Sequence, residues 1–384
     1  MTVCRALALG VMLVLAGCSV PRGAGLQSEV LSLQSDPDGT IEAADFASLP
    51  VTRESLAQIA GWPSTGPARM PWINRQEQPA SLLIAPGDML SVTVWDADEN
   101  SLLTGPSQRV AQLGEVQVST GGEIFLPFVG EIRVAGMSPT TARARIEELY
   151  TASIPSAQVQ LSVVPGRSNT ANLVGGVAAP GIYPLPDRNY TILSLISEGG
   201  GVRTGLINPQ VRLFRGNAVY GISLDRLYAE PGLDTTLVGG DRVIVEQEDR
   251  YFLALGAADS EAIHLFPQDE VSALDALSVI GGITDDRANA QGILVLRQYP
   301  ASAVRPEIIP SEGVPDDGMN YDPAGPPRDR MVFIIDLTSA DGLFSAGNFP
   351  IMPQDLVYVT ESPVNSTRAL LGLITAVIGV RAAF

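Results

Sequence analysis

The chain has 384 residues, with 42 Asp and Glu against 24 basic residues, all of them Arg, one histidine (His264) and a formal net charge of −18. Nucleic-acid binding needs basic stripes to meet phosphate, and this composition does not offer them. The lack of Lys excludes a Schiff-base amine and a phosphate-loop lysine, and one histidine excludes a two- or three-His metal site within one chain.

The length is too great for one ordinary core and predicts two to four domains. Hydrophobic residues at 45%, with 38 Gly and 29 Pro, predict a folded, turn-rich protein with much β-structure. Residues 1–17 read as a secretory signal: Arg5 supplies a small positive region, and Ala6 to Ala16 form an apolar run too short to span a bilayer comfortably. The ending Leu15-Ala16-Gly17-Cys18 resembles the bacterial lipobox, which implies that Cys18 is lipidated and becomes the mature N-terminus. The plainer alternative is secretion with Cys18 an incidental thiol. Ser19 follows where lipoproteins kept at the inner membrane carry Asp, which by analogy implies the outer membrane. Cys4 leaves with the signal, so the mature chain is expected to hold no free thiol, disulfide or Cys–metal site.

Residues 18–80 are polar and rich in Pro, Gly and Ser, and read as a lipid-anchored tether with a short helix after Thr52, through "RESLAQIA". "SDPDGT" reads as a turn, because Ala47 stands where a calcium loop needs its twelfth-position Glu. From 81 to 166 the pattern is β: "MLSVTVW" and "GEVQVS" alternate, "EIFLPFVGEIRV" reads as two short strands around a turn, and "AQVQLSVV" as a further strand. Between them "MSPTTARARIEELYTAS" is a helix capped by Ser138, with Pro139 in its first position and Ala142, Ile146, Leu149 and Tyr150 on one face.

Two similar units follow, at 169–248 and 251–361. Each reads strand, turn, strand, a helix capped by Thr191 or Ser272 and ended by Gly200-Gly201 or Gly281-Gly282, then further strands. The second carries a Pro-, Gly- and Asp-rich loop insertion at 300–330. One phrase recurs, a tight turn ending in Asp and then a strand: "IAPGDMLSVTVW", "LVGGDRVIVEQ" and "IMPQDLVYVTE". Pro86, Gly87, Asp88, Asp241 and Asp355 are its turn residues, and their expected role is structural, with each Asp setting the entry to a strand.

The last segment, 364–384, reads as a membrane helix. At 100° per residue Leu370, Leu373, Ile374, Val377 and Ile378 share a lipid-facing side, while Arg368, Gly372, Thr375, Ala376 and Gly379 fall on a side suited to a lumen or to close helix packing. An interfacial helix and a core helix are the alternatives, because the fully apolar part is short. A single copy could not enclose a passage, so a spanning tail predicts a closed ring.

Chemistry finds little footing. The pairs Asp96/Asp98, Asp285/Asp286 and Asp316/Asp317 are close neighbours in turns, which rarely supply the spaced carboxyls of a glycosidase. The Gly pairs end helices rather than begin them, so they do not make a phosphate cradle. His264 sits in the strand-like "EAIHLFP" and reads as a packed or surface residue.

The stretches "APGDMLSVTVW", "GEIFLPFVGEIRVAGMSPTTARARIEELY" and "VQLSVV" resemble the polysaccharide export domain of outer-membrane capsule and exopolysaccharide exporters, the Wza-like lipoproteins. The two repeated units resemble the soluble-ligand-binding β-grasp (SLBB) domains that follow it there. The implied fold class is α+β and multi-domain, with a C-terminal amphipathic transmembrane helix. The implied function is an oligomeric channel, no enzyme and without cofactor, that exports capsular polysaccharide or exopolysaccharide. Its implied partners are its own copies in a ring of eight, the polysaccharide chain, outer-membrane lipid, and an inner-membrane polysaccharide co-polymerase or ABC exporter. The alternatives are a lipid-anchored periplasmic glycan- or partner-binding module without a pore, and, more remotely, a glycan hydrolase using an acidic pair.

Overall fold

The computed structural model describes residues 23–32, 46–78, 81–96, 110–283, 287–305 and 324–363. In chain order, α1 (Gln27–Val30), β1 (Ala47–Pro50) and α2 (Arg53–Ile59) are followed by β2 (Met89–Trp95), β3 (Val110–Gln117), β4 (Glu123–Leu126), β5 (Gly130–Arg133), α3 (Pro139–Thr151) and β6 (Gln158–Val164). Next come β7 (Thr170–Val174), β8 (Gly181–Pro184), α4 (Ile192–Glu198), β9 (Gln210–Arg215), β10 (Ala218–Ser223), α5 (Leu224–Ala229) and β11 (Arg242–Glu246). The rest are β12 (Tyr251–Gly256), β13 (Ala262–Leu265), β14 (Val271–Ser272), α6 (Ala273–Val279), β15 (Ala288–Gln298), β16 (Arg330–Ile335), α7 (Ala340–Asn348), β17 (Pro350–Ile351) and β18 (Leu356–Glu361). The architecture is mixed α and β, with several sheets. The chain divides into two compact units, residues 69–248 and residues 1–68 with 249–384.

In the 69–248 unit, β2 is the centre of a three-stranded antiparallel sheet, β3-β2-β6. Its alternation sends Leu90, Val92 and Val94 into a core shared with Ile124, Leu126, Ile132 and Val134 of the β4–β5 hairpin. Helix α3 begins where Ser138 Oγ accepts from Thr141 N at 3.1 Å, with Pro139 next. It buries Ala142, Ile146 and Tyr150 in the same core, and the Tyr150 hydroxyl donates to Pro127 O at 2.9 Å. Beyond β6, a five-stranded sheet of order β10-β9-β11-β7-β8 carries α4 and α5 on its inner face. Thr191 caps α4, and Gly201 N donates back to Ile196 O at 2.9 Å, with Gly200 and Gly201 both at positive φ. That is the left-handed helix ending for which glycine is best suited.

The other unit repeats this plan. Its six-stranded sheet has the order β1-β16-β15-β18-β12-β13. Removing β1 leaves the same arrangement, strand for strand, as β10-β9-β11-β7-β8. Ser272 caps α6 through a reciprocal pair with Asp275, and Gly282 N donates to Leu277 O at 2.8 Å. The bridge Val177↔Val202 in the first repeat has its counterpart in Ala258↔Ile283.

The additional strand comes from the segment expected to be a tether. Ala47–Pro50 pairs in parallel with Met331–Ile334. Leu49, Val51 and Trp62 are buried in the second repeat's core, where Trp62 packs against Tyr299 and Phe333. Thr52 caps α2 as expected, its side chain accepting from Ser55 N. Farther on, Trp72 Nε1 donates to Leu233 O at 2.7 Å and Arg75 N to Gly232 O at 2.8 Å. The first repeat therefore also holds a piece of this segment. The physical reason is that both repeats would otherwise expose an unpaired edge, at β10 or β16, and nearby apolar surface. Described residues outside 46–62 are bound too: Gly25 N donates to the Tyr358 hydroxyl, and Glu361 N to Gly25 O.

No helix among the described residues is long and apolar enough to cross a membrane. The expected tail helix, with Arg368, Leu370, Gly372, Leu373, Ile374, Thr375, Ala376, Val377, Ile378 and Gly379, lies outside the described residues, as does Cys18. So do residues 306–323 of the expected insertion.

Candidate functional site

The three turn phrases share one construction. In each, the Asp N–H donates to the carbonyl three residues back: Asp88 to Ala85, Asp241 to Val238 and Asp355 to Met352, at 3.1 Å in all three. The Asp Oδ2 then accepts from the N–H of that same residue, Ala85 at 2.8 Å, Val238 at 2.9 Å and Met352 at 2.8 Å. The third turn residue has positive φ each time: Gly87 at 92°, Gly240 at 88° and Gln354 at 72°. A type II turn requires such a residue there, and Pro86 and Pro353 precede it in the position proline favours. All three carboxylates are buried.

What neutralises each carboxylate differs. Asp88 meets no cation among the described residues. Its Oδ1 accepts from Gly166 N at 2.7 Å and its Oδ2 from Asn169 Nδ2 at 2.8 Å, while Ser168 Oγ donates to Pro86 O. This first turn therefore clasps the linker leading into β7. Asp241 is held by Arg215, which donates from Nη2 at 2.6 Å and from Nε at 3.0 Å, and also from Nη2 to Thr236 O. Asp355 is held in the same way by Arg297, at 2.7 and 2.9 Å, with a further bond to Pro350 O.

Arg297 is almost fully buried. Its guanidinium lies over Phe333 and Phe349, at 5.1 and 5.2 Å from their ring centres. Burial pushes the Asp355 carboxyl above its ordinary value, against the pull of Arg297. Burial would discharge Arg297, and Asp355 holds it protonated, above its ordinary value. An Arg in such a place stays charged, so the pair persists only because both donors and both oxygens are satisfied.

The sequence reading found the three Asp residues and missed their partners Arg215, Arg297 and Asn169. The available signal was an Arg closing an apolar run, in "RLFRG" and "LVLRQ". The strand register supplies what the signal lacked. Arg242 lies opposite Phe214, and Leu356 opposite Leu296, which brings Asp241 to Arg215 and Asp355 to Arg297.

His264 takes up the place that Tyr183 holds in the first repeat. The Tyr183 hydroxyl donates to Ala179 O at 2.6 Å, and His264 Nε2 lies 3.3 Å from Ser260 O. Each ring bonds the carbonyl four residues back, and His264 also stacks on Phe252. This is a packing role. Asp96 is buried and accepts from Ser156 Oγ, while Asp98, Asp285, Asp286, Asp316 and Asp317 lie outside the described residues. Among the described residues, no group of three or more His, Cys, Asp or Glu could hold a metal ion.

A site made of turn clamps and domain joints has the character of a scaffold, and the comparisons agree in class. Residues 76–164 match the family model for polysaccharide biosynthesis/export protein, and the resemblance to outer-membrane polysaccharide export proteins holds. Over 76% of this chain and 74% of the relative's length, it is 24% identical to the capsule polysaccharide export protein BexD of Haemophilus influenzae. It is 26% identical to the capsule polysaccharide export outer membrane protein CtrA of Neisseria meningitidis, over 75% and 74% of the two chains. The similarity to the EPS I polysaccharide export outer membrane protein EpsA of Ralstonia nicotianae reaches 91% of this chain and 88% of that one, again at 26% identity.

Proposed function

We propose that this chain is a subunit of an outer-membrane translocon that exports capsular polysaccharide or exopolysaccharide. The observation that carries the reading is the match of 76–164 to the export family within a similarity that runs on through both repeats. The protein is a transport protein, not an enzyme, and its place is the outer membrane. In this reading 81–166 is the export domain, and 169–248 and 251–361 are β-grasp repeats. Cys18 carries lipid, and copies of the 364–384 helix stand side by side in a ring through the membrane. Two membrane attachments per subunit suit stable anchoring. Scaffold-like turns support a passive conduit, since a chain slides through a hydrated lumen when its contacts are weak and repeated. The energy is supplied by an inner-membrane co-polymerase or ABC exporter.

The test is deletion of residues 364–384 in the producing cell. The conduit reading expects surface polysaccharide to be lost while the soluble part still folds and reaches the periplasm. Unchanged surface polysaccharide would favour a lipid-anchored binding module without a pore.

A further inference from the structure

The two repeats differ at many surface positions, yet they expose apolar side chains at matching ones. On the outer face of the first repeat's sheet, Val174 and Ile182 are exposed, the latter by 68%. The same two places in the second repeat hold Leu255 and Ile263, the latter exposed by 64%. The matching follows from register, since Ile182 lies opposite Asn172 on β7 and Ile263 opposite Leu253 on β12. The helix that follows the third and fourth strands of each repeat also shows a match. The fifth residue of α5 is Tyr228, exposed by 59%, and the fifth of α7 is Phe344, exposed by 71% beside Leu343.

Strip and ring lie on opposite faces of a repeat. Ala171 and Leu173 of β7 share one core with Leu224 and Leu227 of α5, so Val174 and Ile182 face away from the helix layer. Phe252 and Ala254 of β12 share a core with Ala346 of α7, and Leu255 faces away in the same manner. Packing within the repeat therefore explains neither exposure. A surface of one polarity kept twice in one chain, on both faces of each repeat, points to a partner that supplies the complementary face.

We propose that the apolar strip of each repeat (Val174 with Ile182, Leu255 with Ile263) receives the exposed helix aromatic, Tyr228 or Phe344, of a second copy of this chain. It rests on the ring reading above and assigns the faces that meet. The contact is heterologous, because two different faces of the repeat join, and heterologous contacts generate rings when the rotation closes. Charge favours this occupant. A chain carrying −18 repels its copies at a distance, so copies make contact through uncharged ground such as these strips. A polysaccharide is a poorer fit: the second repeat's strip is centred on Leu253, Leu255, Ile263 and Leu265, with the hydroxyl-bearing Tyr251 at its margin, opposite Leu265.

The experiment is cysteine cross-linking of full-length protein extracted from outer membranes in mild detergent. The double variants Ile182→Cys/Tyr228→Cys and Ile263→Cys/Phe344→Cys, and the four single variants, are oxidised and run without reductant. The expected result is a covalent ladder from a double variant at either repeat, with no ladder or dimer from the singles. Dimers from Ile182→Cys or Ile263→Cys alone would mean that like faces meet, and would overturn the proposal. Closed rings in electron micrographs without any cross-link at either repeat would overturn it too, while leaving the export reading intact. Monomers in micrographs together with no cross-link would overturn both. As a second measurement, Ile182→Arg/Ile263→Arg should shift the assembly to smaller particles with circular dichroism unchanged. Particles of undiminished size would count against the proposal.

Discussion

The first and second repeats share a strand order and a clamp, but they embed the clamp differently. Around Arg215 and Asp241 the arginine side chain keeps 27% of its surface in water. Around Arg297 and Asp355 both side chains are essentially dry, between two aromatic rings. The second sheet also carries β1 as an added edge strand, and Leu49, Trp62 and Val51 thicken its core. The same Arg–Asp device thus sits at a half-wet edge in one repeat and deep inside in the other. What differs is the pair of rings, Phe333 and Phe349, that covers Arg297, and burial decides what the loss of one partner costs.

The largest expected effect comes from breaking the dry pair. Arg297→Ala leaves Asp355 buried without its cation and should destabilise the second repeat by about 3–5 kcal/mol. Hydrogen exchange at the β15 amides would read this. Arg215→Ala should cost about 1.5–3 kcal/mol, because water reaches the vacated place. Exchange at β9 checks it, and equal losses in the two repeats would mean that burial does not set the two clamps apart. Leu49→Ala should loosen the second repeat alone, by about 2–5 kcal/mol, since that residue is fully buried in its core. A matching loss of protection in β9 would contradict the assignment of β1 to the second repeat.

A pH measurement sharpens the comparison further. Without Lys, tyrosine phenols are the main groups of the described chain that discharge between pH 9 and 12, because Arg remains protonated. Burial pushes Tyr150 up to about 12, and burial also raises Tyr190, aided by its hydrogen bond to Glu198. A phenol raised in the folded state lends stability that is complete below its ordinary value near 10 and is lost as pH rises through its folded value. Tyr150→Phe should therefore flatten the alkaline fall of stability in the 69–248 unit, at the cost of the bond to Pro127. Thermal unfolding followed from pH 9 to 12 would show it. The smallest effect is expected at Gln354, which alone among the three turns places a side chain at positive φ. Gln354→Gly should stabilise the second repeat by about 1 kcal/mol, measurable as a raised denaturant midpoint.

Much of the architecture was legible because its signals are local. Ser138, Thr191, Ser272 and Thr52 cap helices through bonds to residues three positions on. The Gly pairs end helices through bonds reaching back within one turn and a half. Each Asp turn closes on itself, so the phrase could be heard three times. The arginine clamps were not legible. Arg215 and Asp241 are 26 positions apart, and Arg297 and Asp355 are 58 apart. Only a completed sheet brings them together. The strand Ala47–Pro50 was equally hidden, for "ASLP" has no alternation of its own and becomes a strand by docking on β16.

The sequence by itself determined where helices start and stop, where three tight turns fall, and that two units of the chain repeat one plan. Those features need only hydrogen bonds between residues a few positions apart. The tertiary structure decided which carboxylate receives an arginine, how dry each pair becomes, and which stretch of the polar N-terminal segment each repeat takes up. These depend on strand register and on edges left open by the finished sheet, and no stretch of chain carries that information alone.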